Sequence, residues 1–253
     1  MDFGICVASR PSDLDYVVEA ESLGFTHCWM ADSQMIWSDV YAMLALAAER
    51  TSTMQIGTGV AVAGTRPSSV TAAALATINE LAPGRVFCGI GSGNTAMRIM
   101  GHKPMPIAEF DRYLAELRPL LRGEETTVGF RGAETPIRHL MASDGFVRFG
   151  PPIPVHVSAF GPRSLELATR HGDGLITSAP PVPEAIAGLR ARIDRERDRA
   201  EFPISTLTTI VVTDEGEPFD SERVRRQAGA FAIAGVHYAY DRSEEHTSEL
   251  QSR

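Results

Sequence analysis

Apolar residues along the chain recur with two spacings that alternate in a regular order. Short runs that are apolar throughout, such as 54–60 and 86–90, predict strands covered by helices on both faces, as in parallel sheets. Between such runs, apolar residues three and four positions apart, as from Val40 to Ala48, predict helices buried on one side. The alternation predicts seven strand–helix units, with strands at 3–8, 26–31, 54–60, 86–90, 155–159, 174–178 and 206–213.

The predicted helices have recognisable ends. Ser12 is expected to be the N-cap of the first helix, which stops near Gly24. A Pro-Gly pair at 83–84 ends the third helix before the strand at Val86. The seven helices are expected near 12–24, 40–48, 70–81, 110–121, 162–171, 183–199 and 221–234.

Seven consecutive strand–helix units favour a barrel over a doubly wound sheet. The eighth unit is missing, so we predict an α/β fold that is an incomplete (β/α)8 TIM barrel and occupies 1–241. Residues 123–152 interrupt the alternation with scattered glycine, threonine, proline and charge. We interpret them as an insertion, with a short hairpin, that is able to fold over a site.

The last twelve residues differ from the rest in character. Residues 242–253 are polar, with Leu250 as their single large apolar side chain, and resemble the in-frame translation of a sequencing-adapter oligonucleotide. We expect a non-native, disordered tail and exclude it from fold reasoning; an ordinary disordered terminus is the alternative. On this view the natural gene continues. We then expect a barrel open at its first and seventh strands, and a fragment that is poorly soluble or inactive.

Composition and charge narrow the classes of partner. Hydrophobic residues make up 43% and charged residues 22% of the 253, as in ordinary globular proteins. A net charge of −8 and the lack of an 18-residue apolar run predict no nucleic-acid and no membrane partner. Cys6, Cys28 and Cys88 are expected to be reduced core thiols, which fits the cytoplasm. The sequence contains no CxxC or HExxH spacing, so no metal-binding motif supports a metal site.

The strongest local signal is a strand followed directly by a glycine-rich run: Gly91, Ser92, Gly93 and Asn94. Glycine lets a ligand approach the main chain, and amides at a helix start suit phosphate. A tight turn with no ligand is the alternative. A nicotinamide-binding Rossmann fingerprint is poorly supported, because three strand–helix units precede the run and Glu109 and Asp111 lie at a helix start.

Several loose motifs become specific through their order and spacing over about 1–240. They are Ala31-Asp32-Ser33 with Trp37, and the segments 57–60, 71–77, 81–85, 89–93, 158–164 and 172–175. Together they resemble the luciferase-like monooxygenase superfamily. The resemblance is strongest to its deazaflavin (coenzyme F-420) branch, which includes methylenetetrahydromethanopterin reductase and glucose-6-phosphate dehydrogenase. It implies a TIM barrel that holds a flavin or deazaflavin across the C-terminal ends of its strands.

The resemblance also implies contacts for such a cofactor. Residues 60–62 would form an apolar wall for the ring, beside a non-proline cis peptide bond expected within 59–63. The glycine-rich run and the helix start at 161–164 would bind phosphate, with Arg163 adding charge or, alternatively, lying in solvent. The implied cofactor-binding residues are Asp32, Ser33, Thr58, Val60, Ala61, Gly91, Ser92, Gly93, Asn94, Ala159, Phe160, Gly161, Pro162, Arg163 and Ser164.

Asp32 and Trp37 are the implied catalytic residues, with helix capping and simple packing as their respective alternatives. Ser33 and Asn94 stand where the sugar-phosphate dehydrogenases carry an imidazole and a carboxylate. Cys6 and Asn94 likewise replace acidic residues of the methanopterin reductase. Because the neutral amide of Asn94 cannot act as a general acid or base at neutral pH, those proton-transfer schemes do not carry over. Two histidines, His102 and His139, are further candidates for substrate contact.

The function implied by the resemblance is that of an oxidoreductase. It would transfer a hydride between coenzyme F-420, or reduced FMN, and a small organic substrate. One alternative is an FMN-dependent monooxygenase that uses molecular oxygen, and another is a non-catalytic flavin-binding or scaffold protein. The family often pairs subunits, so a homo-oligomer is expected for the full-length protein.

Overall fold

The computed structural model describes residues 1–179, 182–196 and 202–233, with the backbone alone for 194–196. Two compact units divide the chain, Met1–Leu207 and Thr208–Arg253, and each is described by itself. The predicted tail at 242–253 and the predicted helix ends at 197–199 and 234 lie outside the described residues. The single domain over 1–241 stays a prediction.

Most strands of the first unit form one parallel sheet that follows the order of the chain. The strands are β1 (Gly4–Val7), β2 (His27–Met30), β3 (Gln55–Thr58), β4 (Ala61–Val62), β5 (Val86–Gly91), β6 (Thr126–Phe130), β7 (Ala133–Ile137), β8 (Val155–Ser158), β9 (Gly174–Thr177) and β10 (Ile204–Thr206). Their order in this sheet is β1-β2-β3-β5-β8-β9-β10, and β4 pairs with β5 beyond the end of β3. This sequential order forms a parallel half-barrel. It does not reverse, as the doubly wound sheet of the nicotinamide alternative would.

Helices cover the outer face of this half-barrel. They are α1 (Leu14–Ser22), α2 (Val40–Arg50), α3 (Ser68–Leu81), α5 (Ile107–Leu121), α6 (Pro162–His171) and α7 (Pro183–Glu196). The short helix α4 (Asn94–Ile99) instead follows β5 at the strand ends, where Ala96 and Met97 pack on Val62. The expected end of α1 is confirmed, since Gly24 adopts a φ of +89° just past it. The expected cap of α1 is wrong. Ser12 lies in a 3-10 turn before the helix, and its hydroxyl contacts the Asp13 carboxylate at 3.3 Å.

The seventh strand lies earlier in the chain than predicted. It covers Ile204–Thr206 instead of 206–213, because its partner β9 ends at Thr177, which pairs with Thr206. In the second unit, residues 208–214 form no strand, and Ile210 and Val212 are about 80% exposed (79% and 80%). The helix predicted near 221–234 is found at 222–233 in the described chain.

Side chains of the strands point alternately to the helices and to the concave side of the sheet. Toward the helices, Cys28 and Cys88 are fully buried as expected, and burial raises the pKa of each thiol to about 12. Cys6 is exposed, so the expectation of a core thiol is wrong there. On the concave side, Trp29 and Phe87 pack with ring centroids 5.4 Å apart, and His156 stacks on Phe87 at the same distance. Aromatic rings therefore fill this side beneath the strand ends.

The insertion contains the expected hairpin, in which β6 and β7 pair antiparallel. Its contacts run to the outer helices. The Gly129 amide donates to Glu116 of α5 at 3.2 Å, and Arg148 pairs with Glu80 of α3 at 3.1 Å. The Asn79 side chain also donates to the Arg148 carbonyl at 3.0 Å. These contacts support a position against α3 and α5, not the expected cover over the strand ends.

The Glu21 carboxylate, near the end of α1, binds the backbone just before β3. Glu21 accepts hydrogen bonds from the backbone amides of Ser52, Thr53 and Met54 at 2.7–3.1 Å. Burial alone would raise the pKa of Glu21, but these amides outweigh it and lower that pKa. The charged form of Glu21 is therefore preferred in the folded protein.

We expect Glu21→Gln to lower the free energy of unfolding at pH 7 by about 1–2 kcal/mol, because charge-assisted hydrogen bonds become neutral ones. The lowered pKa means that this stabilisation is present above the unfolded pKa of about 4.3 and is lost as pH falls through the folded pKa. Urea unfolding at pH 7 and at a series of pH values below about 4.3 should show the stability difference between the two proteins shrinking only in the acid range. Glu19→Gln, on an exposed position of the same helix, is the control. A constant difference across this range would contradict the prediction.

Candidate functional site

Residues from four strand ends meet at one rim of the half-barrel. Asp32, just after β2, accepts a hydrogen bond from the Val62 amide of β4 at 3.2 Å. A Cβ added to Gly91, at the end of β5, would lie 3.1 Å from the Val60 side chain and 3.3 Å from Ser158 of β8. The C-terminal ends of β2, β3–β4, β5 and β8 therefore contact one another. Function collects on this face of such barrels.

The expected apolar wall follows β3. The peptide bond between Gly59 and Val60 is cis, which confirms the prediction of a non-proline cis bond within 59–63. Val60 is half-buried beside Gly91. Ala61 is buried in the main core at 1% exposure, and Val62 packs with Ala96 and Met97 at 5%. Of the three residues expected to form the wall, only Val60 has a partly exposed side chain, and the wall itself stays a prediction.

Asp32 has partners for both of its carboxylate oxygens. Oδ1 accepts from Gln34 Nε2 at 2.5 Å, and Oδ2 accepts from Arg66 Nη1 at 2.8 Å as well as from the Val62 amide. Burial raises the pKa of the Asp32 carboxyl, and Arg66 together with the Val62 amide offsets only part of that rise. Arg66 also pairs with Asp39, whose negative charge raises the pKa of Asp32 further. The capping alternative for Asp32 is not supported. Asp39 is the N-cap of α2 and accepts from two amides there at 3.0 Å.

Arg66 is a residue of this site that the sequence reasoning missed. Its side chain is only 16% exposed and pairs with Asp32 and Asp39, each at 2.8 Å. Its guanidinium lies 4.8 Å from the centre of the Tyr41 ring. A signal was present, because Arg66 is the single lysine or arginine between Arg50 and Arg85. A lone cation within a long run of uncharged residues that follows a strand indicates a specific carboxylate partner.

The glycine-rich run makes a tight connection between β5 and α4. Gly93 has a φ of +82°, and a Cβ there would lie 2.2 Å from the Val62 side chain, so both conformation and space require glycine. Asn94 accepts from Arg98 Nε at 2.6 Å, and the Ser92 carbonyl accepts from the Met105 amide at 3.1 Å. These contacts support the tight-turn alternative for the run. Phosphate binding by Gly91, Ser92, Gly93 and Asn94 stays a prediction.

The run from Ala159 to Ser164 connects β8 to α6. The Ser164 hydroxyl accepts from the Phe160 and Gly161 amides at 3.2 and 3.1 Å and so ties the helix start together. The Ala159 side chain is 4% exposed and packs in the core, and binding of the cofactor by Ala159 stays a prediction. Phe160, Pro162 and Arg163 are exposed and remain candidates.

The other predicted residues are divided between the rim and the interior. The Thr58 hydroxyl is fully buried and donates to the Gly89 carbonyl at 2.6 Å, so its side chain joins two strands. Its assignment to the cofactor stays a prediction. Ser33 is 9% exposed, and its carbonyl accepts from the Trp37 amide at 3.1 Å. Trp37 itself is 41% exposed on the loop after β2. His102 is exposed, and His139 packs on Phe149 within the insertion at 6.1 Å.

Within the described ranges 1–179, 182–196 and 202–233, no group of three His, Cys, Asp or Glu side chains could hold a metal ion. Nor does any helix in these ranges combine the length and the apolar character needed to cross a membrane.

Comparison with known proteins gives consistent matches. The family model described as luciferase-like monooxygenase matches residues 7–252. A 5,10-methylenetetrahydromethanopterin reductase of Methanolobus tindarius is 32% identical over 193 residues, covering 71% of this chain and 54% of the relative. A coenzyme F-420-dependent glucose-6-phosphate dehydrogenase of Amycolatopsis mediterranei is 34% identical over 184 residues, covering 67% and 54%. The chain thus spans about half the length (54%) of these two relatives.

Solved structures support the same fold. The coenzyme F-420-dependent tetrahydromethanopterin reductase of Methanopyrus kandleri superposes with a TM-score of 0.66 at 23% identity, covering 82% of this chain and 65% of that chain. A type II Baeyer–Villiger monooxygenase of Pseudomonas putida, in complex with FMN, superposes with a TM-score of 0.69 at 16% identity, covering 92% and 75%. At these identities the superpositions support the fold alone.

Proposed function

The chain belongs to the luciferase-like monooxygenase family, and on that premise we propose that it is an oxidoreductase that transfers a hydride between coenzyme F-420, or reduced FMN, and a small organic substrate. The observation that carries the proposal is the strand-end rim, where Asp32, Val60, Val62, Gly91 and Ser158 come into contact. Hydride exchange is the chemistry that the ring of such a cofactor supplies when bound.

The residues at the rim fit the parts of a flavin-like molecule. Val60 offers an apolar, partly exposed side chain for a ring, and Gly91 leaves the adjoining backbone without a side chain. Gly161, at the N-terminus of α6, is open, since an added Cβ would meet nothing within 4 Å. The positive end of this ten-residue helix and the charge of the exposed Arg163 suit an anionic group. The chain thus presents an apolar wall and a separate anion-binding segment on one face.

Asp32 and Trp37 would have different tasks at this rim. Asp32 holds the Val62 amide and therefore orients the backbone of the wall. Trp37, exposed on the loop after β2, would contact the substrate side of the ring. Because the neutral amide of Asn94 is neither a general acid nor a general base at neutral pH, a substrate that needs little acid–base assistance from the protein fits best.

One relative, at 34% identity, is named as a coenzyme F-420-dependent glucose-6-phosphate dehydrogenase, which supports the deazaflavin over FMN. Another, at 32%, is named as a 5,10-methylenetetrahydromethanopterin reductase. We also propose that the protein acts in the cytoplasm, on a small molecule, as a homo-oligomer. An FMN-dependent monooxygenase is the competing proposal, since an apolar wall and an anion-binding segment would suit FMN equally.

The test is to purify the protein from a host that makes both cofactors, record its absorbance spectrum, and titrate it with each cofactor. We expect a bound deazaflavin spectrum and at least about tenfold tighter binding of coenzyme F-420 than of FMN, a difference of about 1.4 kcal/mol. A flavin spectrum, with oxygen uptake on addition of reduced FMN, would favour the monooxygenase. Comparable, weak binding of both cofactors would contradict the preference for the deazaflavin.

A further inference from the structure

Arg66 joins two carboxylates that lie at opposite ends of one loop. Its Nη1 contacts Asp32 Oδ2 and its Nη2 contacts Asp39 Oδ2, each at 2.8 Å, so one guanidinium spans the loop from β2 to α2. The Asp32 side chain is only 3% exposed and that of Asp39 is 53% exposed. An arginine fork is suited to this geometry because it presents several donors in one plane.

The carboxylate that Arg66 holds also reaches the wall. Asp32 Oδ2 accepts from the Val62 amide at 3.2 Å, and the Thr65 hydroxyl donates to the Val62 carbonyl at 2.9 Å. Side chains therefore hold both backbone groups of Val62. Asp39 uses its second oxygen to cap α2, where it accepts from two amides at 3.0 Å. The position of the wall is thus linked through Arg66 to the start of a core helix.

We propose that Arg66 is a positioning residue that fixes Asp32 against the Val62 amide and thereby holds the backbone of 60–65 in place. Without Arg66, the Asp32 carboxylate would be buried near Asp39 with no cation, an arrangement that strongly disfavours the charge. Asp32 would then turn out to solvent or take up a proton, and in either case its bond to Val62 would weaken. That this movement lowers cofactor affinity rests on the proposed function; the movement itself does not.

Amide hydrogen exchange, measured residue by residue by NMR on the cofactor-free protein, tests the positioning role directly. In Arg66→Met we expect the Val62 amide to exchange at least about tenfold faster, as expected for loss of about 1.4 kcal/mol of local protection. The Ala31 amide, which donates to the Val7 carbonyl of β1 at 3.1 Å, should keep its rate. Unchanged exchange at Val62 would overturn the proposal. An equal acceleration at Val62 and Ala31 would also overturn it, since it would indicate global destabilisation.

Two further variants separate positioning from a general loss of charge. Arg66→Lys should restore most of the protection of Val62, because an ammonium can still pair with Asp32. Arg148→Met removes an arginine that pairs with Glu80 at 3.1 Å on the outer layer, and it should leave the exchange of Val62 unchanged. A lysine variant no better than the methionine variant, or an Arg148→Met effect at Val62, would contradict the proposal.

Cofactor titration of the same variants tests the functional consequence. With coenzyme F-420 and FMN as separate probes, Arg66→Met should bind at least about tenfold more weakly than the wild type, and Arg66→Lys should lie between the two. If the wild type binds neither probe, the proposed function fails while the exchange result still decides the positioning role. If exchange at Val62 rises but affinity is unchanged, the link between the wall and the cofactor is refuted.

Discussion

Asp32→Ala is expected to lower the free energy of unfolding by about 3 kcal/mol and cofactor affinity by at least tenfold. The substitution leaves the buried Val62 amide without its acceptor and takes from Arg66 the more buried of its two carboxylates. Arg66 keeps Asp39, so its charge stays paired. The loss of stability therefore comes mainly from the unpaired Val62 amide, from the lost Gln34 contact and from the small cavity that remains.

Chemical denaturation measures the free energy of unfolding, and titration with coenzyme F-420 measures the cofactor affinity. Asp15→Ala is the matched control, because Asp15 pairs with Arg50 at a similar distance of 3.1 Å but its side chain is 91% exposed. Exposed pairs of this kind contribute about 0–1 kcal/mol. Similar losses in the two variants would show that burial of Asp32 has no special effect. A less stable Asp32→Ala protein with unchanged affinity would remove Asp32 from the cofactor site.

The features best predicted from sequence depend on local pattern. Continuous apolar runs located the strands because parallel strands covered on both faces need apolar side chains at every position. The tight turn at Gly93 was visible because only glycine takes a φ of +82° without strain. The hairpin of the insertion and the cis bond at Gly59–Val60 were also correct. Each of these features was predicted either from a few consecutive residues or from the family resemblance.

The features missed depend on which residues meet in space. Arg66 lies 34 positions after Asp32, and although its isolation in the sequence indicates a carboxylate partner, nothing local indicates which carboxylate that is. β10 ends at the point where its neighbour β9 ends. The apolar run in the sequence continues beyond that point, so it predicted too late a strand. Ala61 and Ala159 lie in segments that reach the rim, yet their side chains turn into the core. A motif identifies such a segment but does not show which of its side chains face a ligand.

Gly89→Ala is expected to destabilise the protein by more than about 3 kcal/mol, beyond the usual cost of overpacking. Gly89 lies within β5, where an added Cβ would be 2.1 Å from the Thr58 carbonyl oxygen and 2.8 Å from the Ile176 side chain. A side chain can turn away, but the Thr58 carbonyl is part of the neighbouring strand. Relief would require β3 and β5 to separate, and this would break the 2.6 Å bond from the Thr58 hydroxyl to the Gly89 carbonyl.

The same substitution in α7 should have the opposite sign. Gly188 is exposed, and an added Cβ there would meet nothing within 4 Å. Alanine should therefore stabilise the helix by about 0.5–1 kcal/mol, because glycine loses more backbone entropy on folding. Thermal unfolding of both variants beside the wild type checks the pair. If Gly89→Ala folded with a melting temperature near that of Gly188→Ala, β3 and β5 would have room to separate at the rim. The close contact of strand ends, on which the proposed cofactor wall depends, would then be wrong.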